Sequence, residues 1–95
     1  MRKFEIHLND EKILADGKYT PEQVHNALDV AFESCGIAKD KDTFYVGQND
    51  SDDVNRFHTM FFFLVNRKRF MDYVDKWIAY NDYQTENVLE SIGKV

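Results

Sequence analysis

At 95 residues the chain is long enough for one domain and too short for two. A hydrophobic content of 43% and an aromatic content of 15% exclude a chain kept open by charge. A net charge of −5 disfavours direct nucleic-acid binding, and the lone cysteine, Cys35, excludes an internal disulfide and fits a reducing compartment.

The first eight residues hold no continuous apolar region, so a signal peptide is not expected. Phe4, Ile6 and Leu8 alternate with Glu5 and His7, which predicts a half-buried strand. Asn9-Asp10-Glu11 reads as a turn, and Lys12–Ala15 as a short return strand. Thr20-Pro21-Glu22-Gln23 is a helix start: Thr caps, Pro suits the first helical position, and Gln completes a capping box. Val24, Ala27, Leu28, Ala31 and Cys35 follow on one face, and Gly36 is the natural stop. The spacing predicts a helix over Pro21–Cys35.

Lys39–Asp42 reads as a solvated connector and Thr43–Gly47 as a strand. A polar loop, Gln48–Asn55, leads into Arg56–Val65, where Met60 to Val65 are apolar without a break. Read as a strand, this segment points Thr59, Phe61, Phe63 and Val65 one way and Met60, Phe62 and Leu64 the other. Both faces then need cover, which predicts a long central strand in a hairpin with the one before it. Asn66 can cap a second helix over Arg67–Asn81, with Phe70, Val74 and Trp77 inward. Thr85–Ile92 reads as a short third helix ended by Gly93.

These elements predict a single compact α+β domain over residues 1–95. It has a three- or four-stranded, mainly antiparallel sheet, two main helices on one face and a short C-terminal helix. Such sets occur in ferredoxin-like and double-stranded-RNA-binding-like folds, and their order alone does not choose between them.

Charge is unevenly spread. Residues 1–55 hold twelve acids and six bases, while residues 56–95 hold five acids and six bases. Arg67, Lys68 and Arg69 fall where a helix begins, the unfavourable end for cations, and mark a candidate anion- or partner-binding cluster. The bland account is local neutralisation by Asp72, three residues after Arg69 and four after Lys68, or by Asp50, Asp52 and Asp53 folding over the patch. The acidic loop lacks the glycine and closing glutamate of an EF-hand. His7, His25 and His58 show no metal-ligand spacing, and Cys35 falls on an apolar stripe. No nucleophile elbow, Cys-x-x-Cys pair or glycine-rich phosphate loop is present. No catalytic residue, metal or cofactor is therefore expected.

The expectation is a soluble, cytoplasmic, non-enzymatic protein-interaction module with an assembly or regulatory role. Met60, Phe62, Leu64, Tyr80 and Tyr83 are its candidate partner-binding residues. One alternative is an acidic decoy that occupies a nucleic-acid-binding site on a target protein, using Asp50, Asp52, Asp53 and the acids of the first helix. Another is a small enzyme or binder of an anionic ligand at Arg67–Arg69. A homodimer is expected through the sheet face bearing Met60, Phe62 and Leu64, the alternative being that a C-terminal segment with Val88, Leu89 and Ile92 covers that face.

Overall fold

The structure, a computed structural model, describes residues 1–93. In chain order the elements are β1 (Lys3–Leu8), α1 (Asp10–Asp16), α2 (Pro21–Ser34), β2 (Ala38–Lys41), β3 (Phe44–Val46), α3 (Asp53–Val65), α4 (Lys68–Tyr73), β4 (Val74–Tyr80), β5 (Thr85–Asn87) and α5 (Val88–Ser91). The strands form one antiparallel sheet in the order β2-β3-β1-β4-β5. The α+β class holds, with a sheet larger than expected. Without α1, α4 and the terminal additions, the path β1-α2-β2-β3-α3-β4 is the split βαβ, ferredoxin-like arrangement.

Helix α2 forms where its signals placed it. Thr20 accepts from Gln23 N–H and Gln23 returns a bond to Thr20 N–H, completing the capping box. Gly36 stops it with φ of +81°, a conformation costly for any residue with a Cβ.

The aromatic run is the main correction. Arg56–Val65 is not a strand but most of α3. Phe57, Met60 and Leu64 are buried at i, i+3 and i+7, with Phe61 packed beside them, while Phe62 stays outside. A continuous apolar run contains both the two-residue and the 3.6-residue period, so it cannot choose between them. The start of the helix is settled by the loop before it. Asp53 is buried and accepts from Gln48 N–H at 3.0 Å and Asn49 N–H at 2.7 Å. Gly47 is required opposite that carboxylate, because a Cβ there would lie 2.5 Å from Asp53 Oδ2.

The predicted second helix divides. It begins near Arg67, but α4 lasts six residues, and the chain then becomes β4. Pairing decides this: β4 runs beside β1 from Leu8↔Val74 to Lys3↔Tyr80, and its β-branched and aromatic residues suit a pleated surface. Three smaller corrections follow. Lys12–Ala15 lies in α1, capped by Asn9, rather than in a strand. Residues 38–41 are an exposed edge strand, not a connector. Thr85 opens β5, and Asn87 caps the shorter α5.

β1 is central. Its register puts Phe4 and Ile6 on one face with Tyr45 of β3 and with Trp77 and Ala79 of β4. Helices α2, α3, α4 and α5 all send buried side chains to that face. Phe4 meets Phe57, Trp77 and Phe32 edge-on at centroid distances of 4.8, 5.3 and 6.2 Å, and Phe32 stacks on Tyr45 at 4.0 Å. Trp77 contributes through packing alone, since its indole N–H finds no acceptor among the described residues. Val88 and Leu89 join this same core, so they do not cross to the opposite sheet face. That face carries Lys3, Glu5, His7, Phe44, Val46, Lys76, Ile78 and Tyr80. Among the described residues no helix is long and apolar enough to cross a membrane.

Candidate functional site

Helix α2 is apolar over more of its circumference than its seat on the sheet uses. Leu28 and Phe32 are buried against the sheet, whereas Val24 and Ala31 are half-buried and Ala27 is exposed. Helix α3 repeats the pattern: Met60 and Leu64 face the core, while Phe63 turns aside and remains 40% exposed. The two unused flanks form opposite walls of an open groove of about 810 Å³ between α2 and the α3–α4 turn. Val24, Ala27 and Ala31 line one side, Phe63 and Phe70 the other, and Leu28 and Leu64 the floor.

The cations Arg67, Lys68 and Arg69 stand together on this groove, all exposed. The Arg67 guanidinium lies 4.4 Å over the Phe63 ring, a cation–π contact, and its side chain makes no ion pair among the described residues. Arg69 Nη1 bonds Asp16 at 2.7 Å, and the Tyr73 hydroxyl donates to the same carboxylate. The Tyr73 bond, with Arg69 next, holds the Asp16 carboxyl below its ordinary range. Among the described residues, neutralisation thus comes from Asp16, not Asp72, and reaches one cation of the three. Lys68 makes no ion pair among the described residues. The acidic loop does not fold over the cluster. Asp50 and Asp53 hold Arg56 instead, at 2.6 and 2.8 Å, which also takes Arg56 out of any basic patch.

The candidate partner-binding residues do not come together. Met60 and Leu64 are core side chains, so the sheet face expected to carry them with Phe62 does not exist. Phe62 is 60% exposed on the outside of α3. Tyr83 is exposed in the turn between β4 and β5, and Tyr80 lies on the open sheet face.

The open sheet face is organised around Glu5, 8% exposed. Tyr80 Oη donates to Glu5 Oε1 at 2.6 Å, His7 Nε2 stands 2.6 Å from Oε2, and Lys76 Nζ lies 3.7 Å away. The Tyr80 bond, then that of His7, lowers the Glu5 pKa, and the same bond raises that of Tyr80. Lys3 Nζ sits 5.0 Å from the ring centroids of both Phe44 and Tyr80. On the helical side of the sheet, burial and then the 2.5 Å bond to Asp29 push the Tyr45 phenol up.

Cys35 is half-buried, with Sγ 3.5 Å from the Arg56 carbonyl oxygen. His25 pairs with Asp10 at 2.8 Å. No group of three metal-ligating side chains occurs among the described residues. Sequence reasoning found the cations and the α2 stripe but not their junction. The available signal was the pair of small residues, Ala27 and Ala31, inside an otherwise bulky stripe. No known protein family matches the chain, and no similar protein is found among curated ones.

Proposed function

We propose that this protein is a non-catalytic binding module whose working surface is the groove between α2 and the α3–α4 turn. One observation carries the reading: exposed apolar walls and a cluster of cations, two of them without an ion pair among the described residues, converge on the same concavity. Apolar walls with a charged rim are the composition of a protein-recognition surface. The decoy alternative draws on the loop acids, two of which are committed to Arg56, and on the acids of α2, of which Asp29 is held by Lys39 and Tyr45. Self-association through the open sheet face would bring Lys3 and Lys76 of two copies together, so the reading takes the monomer as the binding unit. A cytoplasmic setting belongs to the same reading, with Cys35 kept as a thiol.

The test is site-specific photocrosslinking in the cell of origin. A photoreactive residue at Ala27, in the groove, is compared with one at Val30, exposed on the same helix away from it. The expected result is a discrete protein adduct from Ala27 and none from Val30. Equal adducts from both positions, or none from either, would overturn the assignment of the groove.

A further inference from the structure

We infer that the occupant of this groove is an amphipathic helical segment of a partner protein with an acidic first turn. The inference rests on the groove being the working surface and adds what that surface recognises.

The groove is polarised. Asp16 ends α1 and lies just before the Thr20 cap of α2, so the Arg69–Asp16 bond pins the cationic turn beside the start of α2. From there the apolar wall runs along α2 from Val24 through Ala27 to Ala31. At 1.5 Å per residue that track is roughly 10 Å long, about two helical turns. A ligand that fits has charge at one end and an apolar body behind it. Small side chains at Ala27 and Ala31 let a ligand backbone approach closely, while Phe63 and Phe70 form the taller wall.

The walls also select the ligand's backbone conformation. Both are helices, whose N–H and C=O groups are bonded internally. An extended peptide laid here would leave its own backbone unpaired, whereas a helix brings its backbone already satisfied. Strand addition at the β2 edge is discouraged by the exposed charges Lys39, Asp40 and Lys41. A helix two turns long presents apolar anchors at i, i+3 or i+4, and i+7, matching the length of the track. Acids suit the first turn of such a helix because the N-terminal end of its dipole favours them. Placed at the cationic end of the groove, they would meet Lys68 and Arg67.

The test is selection of the intact chain against a displayed library of helical peptides with randomised surface positions, run in parallel on wild type and on the Arg67→Glu/Lys68→Glu variant. Both substituted residues are exposed, and circular dichroism confirms that the variant folds. Backbone amide shifts then locate the best peptide on the wild-type protein. The expected outcome is enrichment of Asp or Glu in the first turn ahead of an i, i+3/4, i+7 apolar pattern. Shifts should be centred on α2 and the end of α3, and affinity should fall at least about tenfold in the variant, or 1.4 kcal/mol. Enrichment of neutral or basic first turns with shifts still in the groove would overturn the acidic-helix inference and leave the groove assignment standing. Shifts outside the groove, or no enrichment, would overturn both.

Discussion

The open sheet face and the helical groove both carry cations beside aromatic rings, yet they are opposite in how those cations are used. On the sheet, Lys76 and His7 converge on Glu5, Tyr80 bonds the same carboxylate, and Lys3 lies over two rings. In the groove, Asp16 engages Arg69, Arg67 only caps a ring, and Lys68 makes no ion pair among the described residues. A satisfied network stabilises the fold and has little left to offer a ligand. An unsatisfied one gives up a small amount of stability and keeps its bonding capacity for something else. The two surfaces therefore differ in what they leave available: the sheet face is closed on its own carboxylate, while the groove keeps two cations without an ion pair among the described residues.

Substituting one centre of charge on each surface is the direct way to break that division. Glu5→Ala removes the acceptor of two hydrogen bonds and strands a histidine and a lysine around a mostly buried position. The expected loss is about 1–3 kcal/mol, or a fall in Tm of about 4–8 °C per kcal/mol for a domain of this size. Ligand binding at the groove should survive in the folded fraction. Lys68→Gln should stay within about 0.5 kcal/mol of wild type by urea denaturation, because Lys68 makes no ion pair among the described residues. If Lys68→Gln costs as much as Glu5→Ala, Lys68 has a structural partner and the contrast fails.

The pH dependence sharpens the same contrast. The folded-state pKa of Glu5 lies below its ordinary value of 4.5, with the Tyr80 bond as the largest cause. Asp50 is likewise lowered from 3.8, mainly by Arg56, and Asp53 from 3.8 by loop amides and Arg56 against the opposing cost of burial. A depressed carboxyl contributes stability that is fully present above its unfolded pKa and is lost as pH falls through its folded pKa. Stability should therefore be flat between about pH 5 and the onset of tyrosine ionisation near pH 10, and decline as pH falls below about 5. In Glu5→Gln the decline should be shallower, whereas in Lys68→Gln it should follow wild type. Denaturation midpoints across that range distinguish the three. An unchanged acid slope in Glu5→Gln would remove Glu5 from the stabilising network.

How far these surfaces were legible in the sequence follows from the range of the interactions behind them. Helix α2 was readable because its cap, its first-turn proline and its glycine stop lie within the segment itself. The cation cluster was readable because it is contiguous. Segment 56–65 was misread because six apolar residues in a row satisfy two periods at once, and aromatic content favours the strand. Only the spacing of Phe57, Met60 and Leu64 pointed to a helix. The change from α4 to β4 depends on pairing with β1 at the other end of the chain, and Arg69 finds Asp16 across 53 residues. Reading α3 as a strand hides the groove as well, because it puts Phe63 on a sheet face instead of on the groove wall.

Phe62 and Phe63 give the finest test, since they are chain neighbours of the same type and α3 directs them differently. Phe63 lines the groove, supports Arg67 and is 40% exposed, whereas Phe62 is 60% exposed and lines none of the groove. Phe63→Ala removes a groove wall together with the seat of a cation, so peptide affinity should fall by about tenfold or more while stability changes little. Phe62→Ser removes an exposed ring whose ring contact is to Phe61, at 5.2 Å, so it should change stability by about 0.5 kcal/mol or less and leave affinity unaltered. The smaller effect is the more informative one. Had the segment been a central strand, Phe62 would be a packed residue, and serine there would cost several-fold more. A large loss of stability in Phe62→Ser would count against the helical placement of α3, and with it against the groove. A loss of affinity without a loss of stability would move the recognition surface to the outer side of α3.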